Sequence, residues 1–187
     1  MFCKVFMQHL FSDGEIAIRP PRPHDLAEFF AAVCESIEAV GEWLPWSDDR
    51  CSVVDAEAWI ALSEQCWHDL TEYHFVVVEA AKLNILGVVG INQINRLHRV
   101  GNLGYWVRAS EWGKSIATRA VRLAAKFGFN EGGLGRLEII AHVNNIASRR
   151  VAEKVGAKLE GIARNRLFFR GRWDAAAVYS LVPEDVL

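Results

Sequence analysis

Apolar positions first repeat with a helical period in two stretches near the start of the chain. In HDLAEFFAAVCESIEAV (24–40), Leu26, Phe30, Val33 and Ile37 share one face. SVVDAEAWIALSEQCWHDL (52–70) predicts a second helix, with Ser52 and Asp55 near its start to cap free N–H groups. Ahead of both, GEIAIRP (14–20) reads as a strand stopped by proline. The pattern then turns to strands. YHFVVVEA (73–80) is continuous and β-branched, and NILGVVGINQI (84–94) and VGNLGYWV (100–107) follow after short turns. Spacing this tight predicts an antiparallel meander. From Ser115 the helical period returns through Ile116, Ala120, Leu123, Ala124 and Phe127, and Gly132 and Gly133 end it. GRLEIIAHV (135–143) is the next strand. SRRVAEKVG (148–156) is a short helix, with Ser148 as a suitable N-cap and Gly156 as its stop. AKLEGIARN (157–165) and RWDAAAVYSLV (172–182) close the chain as an antiparallel pair.

The predicted order is β-α-α-β-β-β-α-β-α-β-β. This is an α+β design, a mixed sheet of about seven strands flanked by helices, with one parallel crossover around residues 100–143. The length, 187 residues, suits a single domain over 1–187, with 1–14 as an N-terminal extension.

Composition narrows the classes. Hydrophobic residues make up 51% and charged residues 24%, enough for a real core. A net charge of -2 gives no footprint for nucleic acid. No apolar run approaches the roughly 20 residues of a membrane span. The opening MFCKVFMQHLFSDGE lacks a continuous apolar core and a small-residue cleavage site, so a cytoplasmic protein is expected. Cys3, Cys34, Cys51 and Cys66 are widely spaced, which reads as buried or free thiols. Cys66 and His68 fall on different sides of a helix, so no metal is expected.

The candidate chemistry centres on SEWGKSIATRA (110–120), which has two readings. Gly113-Lys114-Ser115 could end a nucleotide-binding P-loop, but that loop's first glycine would fall at Arg108, and arginine does not take positive φ cheaply. LEIIAHV also ends without the aspartate a magnesium site needs. In the other reading, NLGYWV runs through a turn into an amphipathic helix. The free amides at the helix start then hold phosphate, and Gly113, Ser115 and Ala117 are small where the backbone closes on it.

With the second reading the stretch resembles the acetyl-CoA loop of the GNAT acetyltransferases, Q/R-x-x-G-x-G/A, and in particular the RimJ and RimL branch that acetylates ribosomal-protein N-termini. Four other segments resemble that branch in the right order: WLPW (43–46), LGYWV (103–107), NIASRRVAEKVGAKLEG (145–161) and RGRWDAAAVYSL (170–181). Together they cover the chain from Glu15 to Leu181. Asn102, Trp112, Ser115, Ala152 and Ala157 depart from the pattern.

The resemblance implies the GNAT fold, acetyl-CoA as co-substrate and no metal. Trp112, Gly113, Lys114, Ser115, Ile116, Ala117 and Thr118 would cradle its pyrophosphate, and the backbone N–H groups of Tyr105 and Val107 would pair with its pantetheine arm. Asn145 would contact the same arm, or serve only as a turn asparagine. Ser148 would protonate the leaving thiolate, serve as a cap, or do both. Trp43 and Trp46 would border the acceptor groove or simply pack a loop, and Asn102 sits where many members of the branch carry Glu. No residue stands out as the base. Glu138, Asp48, Asp49 and His142 are the candidates, and water could take the proton from an α-amine whose pKa is about 8. The implied acceptor is a protein N-terminal α-amine. A small-molecule amine is the alternative, and a module that binds acyl-CoA without catalysis is a rival. The resemblance implies no nucleic-acid or membrane partner, and a homodimer is compatible with it.

Overall fold

The computed structural model describes residues 10–43, 52–82 and 84–186. Eight strands form one sheet: β1 (Phe11–Ser12), β2 (Ile16–Arg19), β3 (Tyr73–Glu79), β4 (Ile85–Asn95), β5 (Val100–Val107), β6 (Arg136–His142), β7 (Lys158–Phe169) and β8 (Arg172–Leu181). Their spatial order is β1-β2-β3-β4-β5-β6-β8-β7. Among the described residues only β5 and β6 run parallel. The helices are α1 (Leu26–Val40), α2 (Val53–Asp69), α3 (Ile116–Asn130), α4 (Ile146–Lys154) and the one-turn α5 (Pro183–Val186). The expected α+β order is borne out. The eighth strand is β1, whose two residues pair with Ile18 and Ala17 of β2.

The continuous apolar run of β3 reflects helices on both faces of the sheet. Phe75 and Val77 pack with β4, β5, α3 and β6 in one core, which also holds Val89, Leu103, Ala124, Phe127, Leu137 and Tyr179. Val76 and Val78 point the other way, into a second core with Phe29 and Ala32 of α1, Ile60 of α2, and Trp106. Alternation along β5 therefore sends Leu103, Tyr105 and Val107 to the α3 face and Trp106 to the α1–α2 face.

β5 and β6 pair only at Val100↔Arg136, Gly101↔Leu137 and Asn102↔Glu138. Beyond Asn102 the strands part. β6 continues beside β8 to His142, and β5 continues beside β4 to Val107. The split opens at the C-terminal ends of the two parallel strands, directly ahead of α3.

The entry to α1 is fixed by a buried ion pair. Arg19 reaches Asp25 with two hydrogen bonds, at 2.7 and 2.6 Å, and the Arg22 N–H donates to the same carboxylate at 2.7 Å. Arg19 and Asp25 are only 6% and 5% exposed. Burial alone would raise the Asp25 pKa. The hydrogen bonds from Arg19 and Arg22 outweigh it and hold the carboxyl below its ordinary value. Asp25→Asn leaves Arg19 charged and buried, so it should cost about 3 kcal/mol, or roughly 10 °C of thermal midpoint at pH 7. A folded-state pKa below the unfolded one gives stability that is fully present above the unfolded value of about 3.9 and is lost as pH falls from there through the lower folded value. The gap between the parent chain and Asp25→Asn should therefore close on acidification below about pH 4, read by thermal melts across pH.

Among the described cysteines, Cys34 is disulfide-bonded, which corrects the expectation of thiols at that position, and Cys66 is a free thiol.

Candidate active site

Three elements meet at the split: the end of β5, the loop into α3, and the start of α4. The Arg108 N–H donates to the Leu86 carbonyl at 2.8 Å, so the even-numbered residues at this end of β5 point their backbone groups at β4. By alternation the N–H and C=O groups of Tyr105 and Val107 point into the split, the direction expected for both. The Val107 carbonyl is already taken, because the Trp112 indole N–H donates to it at 2.8 Å. On the other face, a Cβ added at Gly104 would meet nothing within 4 Å, so that glycine leaves open space beside the split.

The loop into α3 is clamped at its base. Arg108 pairs with Glu28 at 2.8 Å and with Glu35, both on α1. The Ser110 N–H donates to Glu35 at 2.9 Å, and the Ala109 N–H to the Ser36 hydroxyl at 3.0 Å. Hydrogen bonds from Ser110 and then Arg108 hold the Glu35 carboxyl down at about 2, so the clamp is charged across the physiological range. Arg108 has φ -48 and ψ 135, an extended conformation. The tight glycine turn of a P-loop is absent there.

Past the clamp the backbone turns through Gly113 at φ +80 and Ser115 at φ 61, and α3 begins at Ile116. The Trp112 N–H bonds the Ala109 carbonyl, so the free donors begin one residue later than expected. Among the described residues no acceptor takes the N–H groups of Gly113, Lys114, Ser115, Ile116, Ala117 or Thr118, and the first helical bond runs from the Arg119 N–H to the Ser115 carbonyl. Six consecutive donors at the positive end of a 15-residue helix form an anion cradle.

Ser115 occupies a left-handed backbone position that suits glycine, at a cost of about 1 kcal/mol. Ser115→Gly should therefore raise stability by about 0.5–1 kcal/mol, after allowing for the extra freedom of glycine in the unfolded chain. Chemical denaturation midpoints measure this. A loss of stability instead would assign the Ser115 side chain a contact of its own.

At α4 the expected cap is corrected. Asn145 is the N-cap, and its side-chain oxygen accepts the Ser148 N–H at 3.0 Å. Ser148 lies inside the first turn, so its hydroxyl is not spent on capping. It sits 3.0 Å from the Tyr105 hydroxyl, which also donates to the Ser148 carbonyl at 2.9 Å. Burial pushes the Tyr105 hydroxyl up to about 12, with the Ser148 hydrogen bond opposing and the nearby Tyr179 adding to it. Tyr105 is therefore a neutral donor at any physiological pH.

The remaining candidates separate. The Asn102 amide donates to Asn92 at 2.8 Å, between β5 and β4. Glu138 accepts from Arg136 at 3.1 and 3.0 Å, at the closed end of the split. His142 lies at the open end. Its Nδ1 accepts the Asn144 N–H at 3.1 Å, its Nε2 is 3.7 Å from Asp174, and the Trp43 ring packs 5.3 Å from its own. With Nδ1 accepting, neutral His142 carries its proton on Nε2 and has no nitrogen left to act as base. Trp46, Asp48 and Asp49 lie outside the described residues. Away from the split, Cys66, Glu72 and His74 bring donor atoms within 4.8 Å of one another. His74 already engages Ser63 through Nδ1 and Glu72 through Nε2, each at 3.0 Å.

An open sheet that parts between two parallel strands, with a charged clamp and an anion cradle at the parting, defines a transferase of the GNAT architecture. The family described as Acetyltransferase (GNAT) domain matches residues 15–158, so the chain belongs to the GNAT acetyltransferase family. YjcK of Bacillus subtilis, a provisionally named N-acetyltransferase, is 36% identical over 115 residues, which are 61% of this chain and 64% of that protein. YdaF of the same organism, a provisionally named ribosomal N-acetyltransferase, is 28% identical over 174 residues, 91% of this chain and 92% of that protein. Among solved structures, the microcin C7 self immunity acetyltransferase MccE, in complex with acetyl-CoA and AMP, superposes with a TM-score of 0.84 at 23% identity, covering 91% of this chain and 93% of that one.

Proposed function

We propose that the chain transfers an acetyl group from acetyl-CoA to a primary amine, and that the amine is the α-amine at a protein N-terminus. The observation that carries this is the run of six unpartnered N–H groups from Gly113 to Thr118, opening on the split beside the Ser148–Tyr105 hydroxyl pair. A pyrophosphate fits such a donor set by charge and by number of acceptors. The bound acetyl-CoA of MccE and the ribosomal N-acetyltransferase name of YdaF support the donor and the acceptor respectively.

In this reading the pantetheine arm lies in the split and pairs with the Tyr105 and Val107 backbones. The Val107 carbonyl becomes available when the Trp112 indole swings aside. The neutral amine attacks the thioester carbonyl, the C–S bond breaks as the new C–N bond forms, and the thiolate takes a proton from the Ser148 hydroxyl. Tyr105 holds its one proton on the Ser148 carbonyl, rotates it onto Ser148 Oγ as that oxygen gives up its own proton, and solvent then restores the serine proton. The α-amine has a pKa near 8, so a water chain can carry its surplus proton away. No side chain is assigned as base.

The test is release of free coenzyme A thiol from acetyl-CoA against a panel of N-terminal peptides and small amines, with products identified by mass. Turnover confined to small amines would move the acceptor to the alternative class. Tight coenzyme A binding with no turnover on any acceptor would leave a binding module.

A further inference from the structure

The β7–β8 hairpin carries a concentration of charge that the transfer chemistry leaves unused. Between Arg164 and Trp173 the sequence places four arginines and no acid, in a chain whose net charge is -2. The backbone there is built to present them. The register steps from Ala163↔Ala176 to Leu167↔Asp174, so Arg164, Asn165 and Arg166 bulge out opposite a single residue of β8. Asn165 stands at φ 50 and Arg170, in the turn, at φ 50 next to Gly171 at φ 75. A two-residue turn with both φ positive favours Asn-Gly, so arginine at its first position is an unfavourable choice on conformational grounds alone. Arg164 and Arg166 are exposed and have no partner among the described residues.

The hairpin also lies at the mouth of the split. Arg170 donates to the Gly41 carbonyl at 3.3 Å, two residues from Trp43. Asp174 approaches His142, the last residue of β6 and the ring against which Trp43 packs. In the acetyl-transfer reading, a polypeptide with its N-terminal amine in the split would leave it past these residues.

We propose that this hairpin is a docking arm for an acidic segment of the acceptor polypeptide, a few residues beyond its N-terminus. This rests on the acetyl-transfer reading above. Guanidinium groups suit carboxylates. One observation favours an acidic polypeptide over RNA. The acidic balance of the remaining chain repels a long polyanion while tolerating a short acidic peptide.

The experiment uses fluorescent peptides with a blocked N-terminus, so that binding is read without turnover. One carries aspartate and glutamate at positions 2 to 6, and a second carries serine and glutamine there. Fluorescence anisotropy should give at least tenfold tighter binding of the acidic peptide at low salt. That advantage should fall at least tenfold in R164E/R166E, whose exposed side chains hold no contact to lose, and stay unchanged in the control K126E on α3. With unblocked peptides, R164E/R166E should raise KM for the acidic acceptor and leave kcat and the KM for acetyl-CoA unchanged. Equal affinity for both peptides, or no effect of R164E/R166E, overturns the proposal. So does saturable binding of a ribosomal RNA fragment that outcompetes the acidic peptide. Absence of turnover with every acceptor would strike the acetyl-transfer reading, while the blocked peptides still decide the docking arm.

Discussion

Ala117→Asp should raise the Kd for coenzyme A by on the order of 10³ while the fold stays intact. Ala117 is the second residue of α3 and the fifth of the six free donors. A carboxylate there adds a negative charge within the donor run that would hold the pyrophosphate. Two unit charges about 4 Å apart repel by about 4 kcal/mol at the effective dielectric of a protein surface, which is a factor of about 10³ in affinity. The position is half-buried but at a rim, so salt should recover part of the loss. Ala117→Ser adds size without charge and should cost less than tenfold, which separates repulsion from crowding. Calorimetric titration with coenzyme A and a thermal melt of each variant measure both. Unchanged affinity in Ala117→Asp would mean that the cradle is not where the pyrophosphate lies.

The loop was the most legible part of the site, because small residues between a strand and an amphipathic helix leave a mark in the sequence. The sheet was legible for a related reason. The run Phe75–Val78 is apolar at every position because α1 and α2 cover one face and α3 the other. β1 left no such mark, since two residues are too few to show a period. At α4 the sequence pointed to Ser148 as the cap and to Asn145 as a turn or pantetheine-contacting residue. The geometry chose Asn145 because its side-chain oxygen reaches the Ser148 N–H, and that choice releases the serine hydroxyl. The clamp from Arg108 to Glu28 and Glu35 joins residues 80 and 73 positions apart, and the contact from Tyr105 to Ser148 spans 43. Such pairings follow from the path of the chain through space. They have no local signature in the order of residues. Arg108 counted in the sequence only as a glycine that was missing, yet in the structure it holds the loop to α1.

Freeing the Ser148 hydroxyl has a measurable consequence. Ser148→Ala should lower kcat by on the order of 10²–10³, the range for loss of a positioned proton donor, with KM for acetyl-CoA changed less than twofold. Tyr105→Phe keeps the ring and removes the hydroxyl that lies 3.0 Å from Ser148 Oγ, so it should lower kcat about tenfold through Ser148. The pH profile separates this from a structural defect. A thiol of pKa about 8.5 leaves as a stable thiolate in base and then needs no donor. The deficit of Ser148→Ala should therefore shrink above about pH 9, whereas a packing defect would lower the rate equally at every pH. In the parent chain the rate should rise through the amine pKa near 8 and then level off. Burial keeps Tyr105 protonated up to about 12, so its ionisation takes nothing from the plateau in the range where the protein is assayed. A Ser148→Ala chain with the parent kcat at pH 7 and an unchanged melt would remove the serine from the chemistry and leave thiolate protonation to water.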